Sequence, residues 1–254
     1  MSGQWGPLNT PADPQNFNRY SYVQNNPPKF RDPSGNEIEL TGDQAQAFID
    51  YLEKNSGLKL KYTTKNGVIT ITGSSKNKSF TGKANKEFAD IVRKVAGASG
   101  TAKFDVSSTI VNGNNKGEAV FIDDNKAAFN SATVDSSGNK TIRAGNINLT
   151  SINSVDGQDT DLAQALVGHT LIEGLEMREK GANFDLGEKG DTSAHQTGLE
   201  VERKILGQKD KRFDQFDGRQ LTANTKVSFV YTTIQYDMTI KGDGTATITK
   251  VSPP

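Results

Sequence analysis

The stretch from Leu58 to Gly73, LKLKYTTKNGVITITG, alternates apolar and polar residues on both sides of Asn66-Gly67. Asn-Gly readily takes the two positive-φ positions of a tight hairpin turn, and strict alternation is the period of a strand with one buried face. The chain is thereby committed to an antiparallel strand pair, and also to something apolar that covers it, because a lone hairpin is marginal in water.

Helical periodicity supplies that cover. Ala47, Phe48, Tyr51 and Leu52 mark a helix capped by Thr41 or Asp43, running to about Asn55 with Gly57 past its end. The run ANKEFADIVRKVA, residues 84–96, places Phe88, Ile91, Val92 and Val95 at the same spacing. Strands are expected at 102–111 and 118–122, and a turn-rich stretch at 135–140 leads into the strand-like KTIRAGNINLTSI. Two further helices follow, and KVSFVYTTIQYDMTIKGDGTATITKV closes the order as a hairpin pair turning at Gly242-Asp243-Gly244. Helix, hairpin, helix, strands, two helices, hairpin is an α+β order, with a mostly antiparallel sheet and two central packed helices.

Thirty basic and thirty acidic residues cancel, which removes a global electrostatic argument for nucleic acid or an anionic membrane and leaves only a local patch open. With no cysteine, disulfides, thiolate metal sites and cysteine nucleophiles are excluded. No apolar run approaches the ~20 residues of a membrane span, and residues 1–30 lack the basic start and apolar middle of a secretory signal. No phosphate-binding glycine loop of standard spacing is present.

Both histidines fall in one window of the two central helices. In the first helix, about 160–179, Leu162, Leu166, Leu171, Ile172 and Leu175 form an apolar stripe, while His169 and Glu173 stand four apart and share a face. Glu176 lies three residues further on. In the second helix, about 192–206 and capped by Thr192 or Ser193, His195, Leu199 and Glu202 share a face. Antiparallel packing through the loop at 181–191 would bring His169, Glu173, His195 and Glu202 together. Two imidazoles and two carboxylates suit Zn²⁺ or another divalent transition metal, with Glu176 or Glu200 left to move protons in a hydrolysis. The same four groups equally make two hydrogen-bonded pairs with a purely structural or partner-binding role.

Two resemblances sharpen these alternatives. HTLIE is similar to the zincin helix His-Glu-x-x-His, with His169 as first ligand, Glu173 at the second histidine and Glu202 as a later ligand. Thr170 stands at the general-base position, so the resemblance implies metal-assisted hydrolysis and no more. Glu200-Val201-Glu202 resembles the Glu-x-Glu of arginine-directed ADP-ribosyltransferases, with Arg143 as the cofactor-binding arginine.

The leader carries a third resemblance. Residues 1–36 hold six of the eight prolines, interleaved with Phe17, Tyr20, Tyr22 and Phe30. NRYSYVQNNPPKFRDPSG resembles the end of the Rhs repeat-associated core, matching at Asn18, Tyr20, Tyr22, Asn25, Asn26, Pro27, Asp32, Pro33 and Gly35. The likeness implies an upstream cocoon of YD repeats, residues 1–36 as a residual core tail, and residues 37–254 as the variable C-terminal effector. It also implies secretion or delivery into a target cell as part of a larger protein, and a cognate immunity protein as partner. Release in that family follows Asp-Pro-x-Gly-Leu, whereas Asn36 follows Gly35 here.

Overall fold

The structure, a computed structural model, describes residues 38–98, 102–108, 132–134, 140–142, 145–179, 194–210, 226–241 and 245–252. The chain divides into Met1–Gly35 and Asn36–Pro254, and every described residue belongs to the second unit. The leader, the strand expected at 118–122, Arg143, the loop at 181–191, Thr192, Ser193 and the turn at 242–244 lie outside the described residues.

The hairpin forms as its sequence dictates. Strands β2 (Leu58–Lys65) and β3 (Val68–Lys76) pair antiparallel, and Asn66 and Gly67 both take positive φ, 52° and 77°. β3 also pairs antiparallel with β1 (Ile38–Thr41), a strand that the sequence reading did not anticipate. β1 is only four residues long, too short for alternation to announce it. On its other side β1 pairs parallel with β4 (Ala102–Ser107), and β4 pairs parallel with β7 (Gly145–Asn148). The five-stranded sheet therefore runs β2-β3-β1-β4-β7 and is mixed. Antiparallel pairing predominates overall. β5 (Ala132–Val134) and β6 (Lys140–Ile142) form a small pair, and β8 (Lys226–Val230), β9 (Gln235–Ile240) and β10 (Ala246–Val251) form a three-stranded sheet. The class is α+β.

Helix α1 (Ala45–Ser56) buries Phe48, Ile49, Tyr51 and Leu52 and ends at Gly57, but neither expected cap closes its start. Gln44 is the N-cap residue and makes no side-chain cap bond. Asp43 instead accepts hydrogen bonds from the Ser108 amide at 3.3 Å and hydroxyl at 3.2 Å, and the Thr41 hydroxyl donates to the Phe104 carbonyl at 3.4 Å. Both side chains are drawn away from the helix by the parallel strand beside them. Helix α2 (Lys86–Ala96) has an orthodox start. Asn85 Oδ1 accepts from the amides of Glu87 and Phe88 at 3.1 and 3.2 Å, while its Nδ2 donates to the Ile205 carbonyl at 3.0 Å.

The segment KTIRAGNINLTSI is not a single strand. β6 and β7 occupy parts of it, and Leu149–Asp156 turns into helix α3, with Asn148 Oδ1 accepting from the Ser151 amide at 3.2 Å. Ile147 and Leu149, two apart, fit a strand, whereas Leu149 and Ile152, three apart, fit a helix, and a capping asparagine between them marks the change.

Helix α4 (Thr160–Glu179) spans the range that the sequence indicated. Leu162, Ala163, Ala165, Leu166, Val167, Leu171, Ile172 and Leu175 are all buried, so the helix is covered all round and packs against α2, α3 and α5 (Ala194–Ile205). The terminal sheet is tied by side chains to α3 and to the segment that follows it. Ser154 Oγ accepts from the Ala246 amide and donates to its carbonyl, at 2.9 and 3.0 Å, and Gln158 Oε1 accepts from the Ile248 amide at 2.9 Å. No described helix is long and apolar enough to cross a membrane.

Asn85 thus closes α2 at its start and holds the last turn of α5. Asn85→Ala is expected to lower unfolding free energy by about 1–2 kcal/mol in denaturant titration, the upper part of the usual cap range, because the Ile205 carbonyl loses its donor as well.

Candidate functional site

Helices α4 and α5 run antiparallel and close together, and glycines at their interface permit it. A Cβ at Gly168 would crowd Ile205 and Val201, and one at Gly198 would collide with the ring of His169. The imidazole of His169 therefore lies directly on the α5 backbone, where any larger residue at 198 would displace it.

Against this background the sequence-selected groups converge. His169 Nδ1 is 2.5 Å from Glu202 Oε1, His169 Nε2 is 3.4 Å from Glu173 Oε2, and Glu173 Oε1 is 3.2 Å from His195 Nδ1. The two imidazole centroids are 4.9 Å apart. His169, Glu173 and His195 each offer one ligand atom, and these atoms lie within 4.8 Å of one another. Glu202 is fully buried on the far side of His169, whereas His169, Glu173 and His195 keep 6–7% of their surface accessible. A divalent metal could be held by those three, with Glu202 behind His169.

Tyr231 joins the cluster, donating its hydroxyl to Glu202 Oε2 at 2.7 Å. The sequence reading passed over it. The available signal was a tyrosine among buried strand positions, since a buried phenol needs a hydrogen-bond partner that a phenylalanine would not.

The other sequence candidates separate. Glu176 is buried one turn beyond Glu173 and faces Lys94 Nζ at 3.4 Å. Glu200 points to the surface, where Arg203 grips it through two nitrogens at 2.8 and 2.6 Å and Lys204 stands at 3.5 Å. The Arg203 hydrogen bond is the main reason its carboxyl falls to about 2. A carboxylate so held is a poor proton acceptor and stands outside the cluster. Thr170 turns back to donate to the Leu166 carbonyl at 3.0 Å, so the position of the zincin general base contributes nothing to the site. Glu200-Val201-Glu202 lies within α5, where residues two apart point about 200° from each other. Its two carboxylates accordingly face surface and core, and do not form one transferase site.

The cluster's members shift one another's titration. Burial alone would push the His169 imidazole down, but Glu202 and Glu173 outweigh it and raise the group to about 10. Burial would raise Glu173, and the His169 and His195 imidazoles outweigh it and hold the carboxyl below its ordinary value. No family model matches the chain, and no curated protein or solved structure matches it.

In the presence of chelator these shifts set a stability window. The His169 contribution is complete below its unfolded value of 6.5 and is lost as pH rises toward about 10. The Glu173 contribution is complete above its unfolded value of 4.5 and is lost as pH falls through its depressed folded value. Thermal midpoints measured across pH 3–10 should peak between these two unfolded values, and His169→Gln should flatten the alkaline limb.

Proposed function

We propose that residues 37–254 are a metal-dependent hydrolase domain, occupying the effector position behind a residual Rhs core tail. The observation that carries this reading is the convergence of His169, Glu173 and His195, three buried donors with their ligand atoms within 4.8 Å. Four-coordinate binding with bonds of about 2.1 Å puts neighbouring ligand atoms about 3.4 Å apart. Two contacts stand at 3.4 and 3.2 Å through different oxygens of Glu173, and single ligand atoms from the three residues lie within 4.8 Å of one another, so the side chains would draw together around a shared ion. Two imidazoles and a carboxylate are the donor set of open zinc sites, in which the metal polarises a carbonyl or phosphoryl oxygen and acidifies water. His169 Nε2, Glu173 and His195 would hold the ion. Glu176, one turn from Glu173 and 3.4 Å from Lys94 Nζ, would move the proton. The leader supports the biological setting: delivery as the last part of a YD-repeat protein and restraint by a cognate immunity protein.

A second reading is favoured by the internal pairing. Both imidazoles and both carboxylates already have partners among themselves, so the cluster could serve as a buried ion-pair latch in a domain that only binds a partner.

Elemental analysis of the purified full chain separates the two. The hydrolase reading expects one equivalent of zinc or another divalent transition metal, lost in His195→Ala, and a melting point that drops with chelator. Bound metal at a thousand times its Kd stabilises by about 4 kcal/mol. No metal after dialysis against each candidate ion, with melting indifferent to chelator, would leave the latch.

A further inference from the structure

We propose that Glu202 and Tyr231 form an orienting arm that presents His169 Nε2 to the metal, making the C-terminal three-stranded sheet part of the metal centre. The inference rests on the metal reading above and assigns Glu202 a positioning role in place of the ligand role expected from sequence.

The chemistry of the contacts carries it. An ionised carboxylate only accepts hydrogen bonds, so the 2.5 Å contact to Glu202 places a proton on His169 Nδ1. In the neutral imidazole the lone pair then resides on Nε2, the nitrogen that faces Glu173. Loss of the Nε2 proton is what metal binding requires, and a carboxylate behind the ring both fixes the tautomer and makes the ring a stronger donor to the metal.

Glu202 is held in turn. Its second oxygen accepts from the Tyr231 hydroxyl at 2.7 Å, and Tyr231 is 2% exposed. Two contacts set that phenol in place. The Tyr231 amide donates to the Ile234 carbonyl at 2.8 Å across the turn between β8 and β9, and its ring stands edge-on to Tyr236 with centroids 6.2 Å apart. The ligand on α4 is therefore aimed by a carboxylate on α5, which is aimed by a turn of the terminal sheet. Tyr236 sits in β9, so the packing of that sheet sets the position of the first link.

The test measures Zn²⁺ affinity by chelator competition, and the Co²⁺ absorption spectrum, on the full chain and on Glu202→Gln and Tyr231→Phe. Each variant's metal-free melting point is recorded, with Ile71→Val in the five-stranded sheet as a destabilised control. Glu202→Gln is expected to lower affinity about 10- to 100-fold, and Tyr231→Phe by a smaller factor in the same direction, with a shifted Co²⁺ spectrum. The control should keep wild-type affinity and spectrum. Wild-type affinity in both variants would overturn the arm while leaving the metal site standing, and so would a loss in the control as large as theirs. Failure of the wild type to bind either ion overturns the metal reading and the arm together. If Glu202→Gln does not fold, Tyr231→Phe, which keeps the ring and its packing, decides alone.

Discussion

The protein's central constraint is the burial of two imidazoles and two carboxylates between α4 and α5. An ionised side chain removed from water without a partner costs several kcal/mol, and removing one member of a buried pair typically costs 3–5 kcal/mol. The four groups therefore stand or fall together. Each finds a partner on the facing helix, and His169 and Glu173 also meet along α4, so the antiparallel approach of α4 and α5 is fixed by these polar pairs as much as by the small residues Gly168 and Gly198. A slip of one turn between the helices would separate His169 from Glu202 and Glu173 from His195 at once. Apolar packing alone would tolerate such a slip far better, since leucine and valine contacts are interchangeable. The polar cluster specifies the register that the surrounding core merely stabilises.

Much of this was legible in the sequence, for a reason that can be stated residue by residue. His169 and Glu173 stand one helical turn apart, and His195 and Glu202 two turns apart, so each pair had to share a face once the helices formed. The bounds of α4 were equally readable, because its apolar residues recur over about four turns. What sequence spacing could not give was which side of a ring each carboxylate would meet. Glu202 looked equivalent to Glu173, and only the approach of α5 puts it behind His169 on the Nδ1 side. Glu200 looked available until Arg203 and Lys204, three and four residues on, claimed it on the outer face.

The fold shows the same division between local and distant causes. The Asn66-Gly67 turn depends on two residues and formed as read. β1 and its parallel pairing with β4 depend on a crossover that carries α1, the hairpin and α2, and no local pattern encodes it. That distant pairing also took Thr41 and Asp43 from the helix start they seemed to mark. Helix α3 was misread because the alternation of Ile147 and Leu149 carried on from a strand, and the change of period rested on the Asn148 side chain.

Tyr231 lies 29 residues after Glu202, which lies 33 residues after His169. During synthesis from the N-terminus, α4 and α5 are polymerised before the phenol that completes the far side of Glu202. A nascent chain that has reached only α5 carries the ligand-bearing helices without the hydroxyl that helps to keep Glu202 aimed. The cluster is thereby assembled in a fixed temporal order, and its final geometry waits on the turn between β8 and β9.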